Sequence, residues 1–170
     1  MSTTQKAILV CVSALAVIAA PLRARAAPTI SCTRPMSFGT FLPQCNGTIT
    51  VRASVGSGTA NNGCHSQLGG VVQPAICVIQ TTIGTATQDA RITFTTTERK
   101  FANTQGGGEV TLDGYLIQTA GGSQAGTHTF NAALLDPGHT FNVGGRLRFG
   151  SGELAGSYDT TFNIVVTSIP

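Results

Sequence analysis

Charge is scarce in this chain: Asp, Glu, Lys and Arg together make up 10% of its 170 residues. Tryptophan is absent and aromatics reach only 6%. Few charges beside 41% hydrophobic residues exclude intrinsic disorder, which needs high charge and low hydrophobicity. They also exclude a coiled coil or helical bundle, because such chains are rich in Ala, Glu, Lys, Leu and Arg. Long hydrophobic runs are missing as well. The longest small and apolar stretch, Ala7 to Ala20, has 14 residues, too few for a membrane span of about 20. Glycine, in contrast, is plentiful: 21 residues, all after position 26, which implies many turns.

The apolar stretch fits a different purpose. Lys6 precedes it, Pro21 ends it, and Ala24-Arg25-Ala26 supplies the small residues of an A-x-A cleavage site, the layout of a secretory signal peptide. Residues 1–26 are therefore expected to be a signal peptide and 27–170 a single β-sandwich domain. Removing Lys6, Arg23 and Arg25 takes Lys plus Arg from 10 to 7 against 7 Asp plus Glu, a net charge of zero. No basic footprint for nucleic acid remains. The expected location is exported: periplasm, cell surface or extracellular.

Four cysteines follow the leader: Cys32, Cys45, Cys64 and Cys77. An even number in an exported domain reads as two disulfides, with three connectivities open. Zinc is the competing reading, but no C-x₂-C pair exists and His65 is the only imidazole nearby.

The hydrophobic pattern is that of strands. Thr29 to Phe41 reads as extended, with Pro35 blocking a helix. Asn46-Gly47 is a hairpin signal leading into Thr48–Val51. Gly56 to Gly70 reads as a polar loop, Val71 to Thr82 as a buried strand, and Arg91 to Thr96 as an alternating one. Thr97 to Gly108 reads as a polar connection. In Glu109 to Gln118, Asp113-Gly114 reads either as a tight hairpin or as a bend or bulge within one strand; the bend is favoured, because four-residue arms are short. Thr127 to Leu135 turns at Asp136-Pro137-Gly138 into Thr140 to Phe149, whose Gly144-Gly145 pair is expected to shift the register. From Ser157 to Thr167 one parity holds Tyr158, Phe162, Ile164 and Val166, the period of two of a half-buried strand. Seven to nine short strands suggest an antiparallel sandwich or barrel.

Chemistry-bearing constellations are lacking. His65, His128 and His139 have no G-x-S-x-G beside them. Glu98 and Glu109 flank an expected connection, not the rigid pair of elements that a two-carboxylate site requires. Gly106-Gly107-Gly108 lacks the Lys and Ser/Thr of a phosphate loop. Asn46-Gly47-Thr48 matches a glycosylation sequon, and Arg99-Lys100-Phe101 is a small basic-aromatic cluster on an expected wet surface. The expectation is a protein that is not an enzyme, with no cofactor and no metal.

Four segments carry a family resemblance. They are Ser37-Phe38-Gly39-Thr40 with Gly47–Val51, Gly69-Gly70-Val71 with Pro74-Ala75-Ile76, Phe141–Leu147, and Ala155–Tyr158 with Thr161–Val166. In this order and spacing the chain resembles a bacterial exported family known as domain of unknown function 4402. It is also distantly similar to pilin-type domains of the spore coat protein U and chaperone–usher kind. The resemblance implies an antiparallel immunoglobulin-like β-sandwich of about seven to nine strands, whose last sheet position is filled by a partner's strand. The implied function is a fimbria- or pilin-like structural surface protein serving cell-surface adhesion or biofilm. The implied partners are a periplasmic chaperone, an outer-membrane usher and other pilin-like subunits, with no membrane span after signal cleavage.

The alternative expectation is a self-complete secreted binding module that recognises a glycan or surface through its loops. Ala27–Ser31 ahead of Cys32 holds one apolar residue, Ile30, a poor donor arm; a terminating or tip subunit need not donate. Pilin-like sandwiches commonly staple the first strand to the long buried one. That implies Cys32–Cys77 and Cys45–Cys64, with Cys32–Cys45 and Cys64–Cys77 as the runner-up. Tyr158, Phe162, Ile164 and Val166 are expected to bury one continuous strand-acceptor face at the functional edge.

Overall fold

The structure is a computed structural model that describes residues 27–54, 58–61, 64–81, 88–102, 108–158 and 162–169. The expected leader at 1–26 lies outside these residues.

β-branched and aromatic side chains at alternating positions dictate strands, and the described residues form an antiparallel β-sandwich. The strands are β1 (Thr29–Arg34), β2 (Ser37–Pro43), β3 (Gly47–Val51), β4 (Gly58–Asn61), β5 (His65–Gln73), β6 (Ala75–Gln80), β7 (Asp89–Phe94) and β8 (Glu98–Ala102). They continue with β9 (Glu109–Thr119), β10 (His128–Phe130), β11 (His139–Phe149), β12 (Gly156–Ser157) and β13 (Ile164–Ile169). One short helix, α1 (Ala132–Leu135), starts at Asn131, whose side-chain oxygen accepts from the Leu134 amide.

The sandwich is built around β11. Its first half pairs on one edge with β6, which carries β1 outside it; its second half pairs on the same edge with β3, which carries β4. Its other edge pairs with β9, which carries β8. This seven-stranded sheet faces two three-stranded sheets, ordered β10-β7-β13 and β12-β2-β5. One core joins all three. Phe41 of β2 meets Phe149 of β11 at 5.1 Å, Phe130 of β10 meets Phe141 at 5.6 Å, and Phe94 of β7 stacks on Tyr115 of β9 at 4.7 Å.

Local chemistry sets the irregularities. Phe38 and Phe41 are both buried although three residues apart: Gly39 takes a positive φ of 72°, and the pairing with β5 shifts register twice, between Phe38 and Thr40 and between Thr40 and Phe41. On β9, Arg146 of β11 pairs with Asp113 and Gly144 pairs with Leu116, so Gly114 and Tyr115 together oppose Gly145 alone. Gly114, at φ 59°, absorbs this bulge. The buried set accordingly passes from Val110 and Leu112 to Tyr115 and Ile117.

Several expectations are corrected. There are more strands than seven to nine: Pro74 splits Val71–Thr82 into the end of β5 and β6, Thr29–Phe41 divides into β1 and β2, and β4 and β8 form where loop was expected. The β9–β11 register does shift between Gly144 and Arg146, but the extra residue lies on β9, so Phe141, Val143, Leu147 and Phe149 stay on one buried parity throughout. Asn46-Gly47 makes no hairpin, since β2 and β3 belong to different sheets. Gly47 serves a close approach instead; a Cβ there would sit 2.8 Å from the Phe149 ring and 2.9 Å from Cys64 Cβ.

The stretch Gly56–Gly70, read as loop, contains β4 and most of β5, and Thr97–Gly108 contains β8. Thr127–Leu135, read as strand, yields β10 followed by α1. The run Ser157–Thr167 is not one strand. Ser157 closes β12 against β2, whereas Ile164 opens β13 against β7 in another sheet.

Candidate functional site

The division of the last run changes what its four apolar residues do. Tyr158 is buried against the β2 sheet, its ring 5.0 Å from Phe41, and its hydroxyl donates to the Leu154 carbonyl at 2.6 Å. Phe162 is half-buried and meets the edge of Phe94 at 6.3 Å and the Tyr115 ring at 6.1 Å. Ile164 and Val166 are half-buried on β13, opposite Phe94 and Ile92 of β7. The face is thus interrupted: Tyr158 seals the core in one sheet, while Phe162 and Ile164 line the rim of another and Val166 packs against the core.

That rim borders a cleft of about 550 Å³. Ile30 and Cys32 of β1 form one wall; Phe162, Ile164 and Val165 form the other; Met36 also lines it, and Thr95 and Asn163 are its polar members. No charged side chain lines it. Among the described residues β1 pairs only with β6, and β13 pairs only with β7. Both strands therefore turn an unpaired edge of backbone N–H and C=O groups outward beside an apolar cleft.

The four cysteines form the two disulfides Cys32–Cys77 and Cys45–Cys64. The first ties β1 to β6, where Cys32 stands directly opposite Cys77. The second joins the end of β2 to the start of β5, where the Gln44 amide also donates to the Cys64 carbonyl at 2.7 Å.

The carboxylates are engaged by cations. Asp113, buried under the outer face of β9, accepts from Arg146 Nε at 2.8 Å and from Arg148 Nε at 2.7 Å. Arg148 reaches on to Glu98 at 2.9 Å, and Lys100 pairs with Glu109 at 3.0 Å. The Asp113 carboxylate raises the Arg146 guanidinium, and Glu109 raises the Lys100 ammonium. Glu98 and Glu109 thus join a charge ladder across β8, β9 and β11.

His65 packs edge-on to Phe41 and Phe149, while His128 and His139 flank Phe130. Burial, followed by the positive charge of His139, holds His128 below the usual imidazole range. Among the described residues no group of three His, Cys, Asp or Glu has metal-binding geometry, and no helix is long and apolar enough to cross a membrane.

The open edge of β1 and the wall it forms escaped the sequence reading. Thr29–Arg34 carries no alternation that separates an edge strand from a central one; only its position beside the cleft distinguishes it.

No curated protein and no solved structure matches the chain. A family model does match, described as domain of unknown function (DUF4402), over residues 29–167. The match runs from the first strand to the last, and the chain belongs to this family.

Proposed function

We propose that this protein is an exported, non-catalytic surface subunit of fimbrial type that accepts a strand from a partner subunit in the cleft between β1 and β13. The observation that supports this reading is the pair of open strand edges flanking an uncharged apolar cleft. An extended segment laid there gains backbone hydrogen bonds from the edges and inserts alternate side chains into the cleft. Six residues in β1 and six in β13 give such a segment two rails of matching length. Two disulfides suit an oxidising, exported setting. Further pilin-like subunits, a periplasmic chaperone and an usher are the proposed partners, and adhesion or biofilm is the proposed role.

A titration tests the reading. An uncharged peptide of alternating Val and Thr, added to the ¹⁵N-labelled protein, should shift the amides of Thr29–Arg34 and Ile164–Ile169 together. Shifts confined to β5, or no shifts, would count against the cleft as the acceptor.

A further inference from the structure

A second cleft, of about 310 Å³, lies where β9 ends beside β11. Its walls are Gln118–Gly121, the last residues of β9 and the turn after it, and Thr140–Asn142 of β11. The turn is fixed: the Gly122 amide donates to the Thr119 carbonyl at 3.1 Å, and Gln118 Nε2 donates to the Gly122 carbonyl at 2.7 Å. None of the lining side chains is charged.

Asn142 is the unusual member. Phe141 and Val143 turn into the core, so Asn142 between them points to the outer face of the sheet, directly opposite Gln118 of β9. It is nevertheless only 7% exposed. The chain leaving β3 crosses this face two residues along: a Cβ on Gly144 would overlap the Val51 carbonyl and the Ala53 amide. The Asn142 carboxamide has no hydrogen-bond partner among the described residues. A buried polar group ordinarily has one, and one that has none calls for an explanation. The carboxamide is open to a ligand. The neighbouring Gln118 oxygen is fully enclosed, whereas neither polar atom of Asn142 is, so the surface that Asn142 keeps in the cleft wall carries its amide.

We infer that this cleft binds one neutral sugar residue, held by paired hydrogen bonds to the Asn142 carboxamide. That group presents a donor and an acceptor side by side, and two adjacent sugar hydroxyls can meet both at once. Thr119 and Thr140 add hydroxyls that donate and accept in the same way. A charged ligand would lose its hydration with no opposite charge in the wall to replace it. A wholly apolar ligand would leave the carboxamide unpaired. The volume stands at the lower end of the range of small-ligand sites, about 300–1,000 Å³, and suits a single ring rather than a chain. The inference is independent of strand addition, because the lining of this cleft shares no residue with that between β1 and β13.

The test is a titration of the ¹⁵N-labelled protein with glucose, galactose, mannose and N-acetylglucosamine, each at millimolar concentration. At least one should shift the Asn142 side-chain NH₂ signals saturably, together with the amides of Gln118–Gly121. Asn142→Leu keeps the size of the side chain and removes its polar atoms. It should weaken that binding about tenfold, and should leave Tm unchanged or raised because the carboxamide has no partner to lose. Should Asn142→Leu fail to fold, Thr140→Val, which removes one hydroxyl, should weaken binding about fivefold. The inference is overturned if none of the four sugars shifts these signals, if the shifts fall elsewhere on the protein, or if the variant that folds binds as tightly as the parent.

Discussion

Cys32 stands directly opposite Cys77 across the β1–β6 pair, and the two are joined, so the edge strand beside the cleft is bonded to the strand it borders. β1 has no other sheet partner among the described residues. Replacing both cysteines by serine should therefore loosen β1 before anything else. In the chain-entropy account this crosslink spans 45 residues against 19 for Cys45–Cys64, which makes it the more stabilising by about 0.8 kcal/mol. Denaturant unfolding of the two double-serine variants measures the difference. Hydrogen exchange should show Thr29–Arg34 losing protection only in the variant lacking Cys32 and Cys77.

The aromatic rings differ in burial and should differ in cost. Phe41 is fully buried between Tyr158 and Phe149, so Phe41→Ala should destabilise by about 3–5 kcal/mol. Phe162 is half-buried on the cleft rim, and Phe162→Ala should cost roughly half as much. Equal losses in chemical unfolding would show that Phe162 belongs to the sealed core and not to the rim.

Tyr158 supplies a further contrast. Its hydroxyl donates to the Leu154 carbonyl, so Tyr158→Phe should lower stability by about 1 kcal/mol. The same substitution at Tyr115, whose hydroxyl has no partner, should not lower it. Thermal unfolding of the two variants side by side compares the two hydroxyls directly.

Asp113 holds two guanidiniums at once on the outer face of β9. Asp113→Ala should cost about 1–2 kcal/mol, a modest amount because both arginines are half-exposed and water replaces the lost carboxylate. The loss should shrink as salt is raised, which urea unfolding at two ionic strengths will show.

His128 predicts the direction of the pH response. Its folded pKa is depressed, chiefly by burial and then by His139, so the neutral ring is the form the fold prefers. Its contribution is fully present above the ordinary imidazole range and is lost as pH falls through that range toward the lower folded value. Arg91, opposite Thr129 on β7, adds positive charge to the same strand pair. Stability should fall below about pH 6.5, and His128→Gln should flatten that slope. An unchanged slope in the variant would assign the pH response to other groups.

The sequence was legible where apolar residues alternate without interruption. Ile92 with Phe94, and Phe141 with Val143, announce β7 and β11, and Asp113-Gly114 announces the bend in β9. Strands with little apolar content were not legible. β4 is Gly58-Thr59-Ala60-Asn61, and β8 begins Glu98-Arg99-Lys100; their pairing comes from neighbours distant in sequence. The C-terminal run misled for the opposite reason. Tyr158 and Phe162 share a parity but lie in different parts of the sandwich, because a parity count cannot register a change of sheet. The cleft was invisible for the same reason, since its walls come from opposite ends of the chain and only the fold brings Ile30 near Ile164.

The central claim, that β13 offers an open edge to a partner strand, is tested most directly by amide hydrogen exchange of Ile164–Ile169 in the isolated monomer. Paired to β7 on one side only, every second amide of this strand should be protected and the alternate ones should exchange as freely as those of a surface loop. Uniform protection of all six residues in the monomer would mean that the outer edge is already covered, and would contradict the strand-acceptor account.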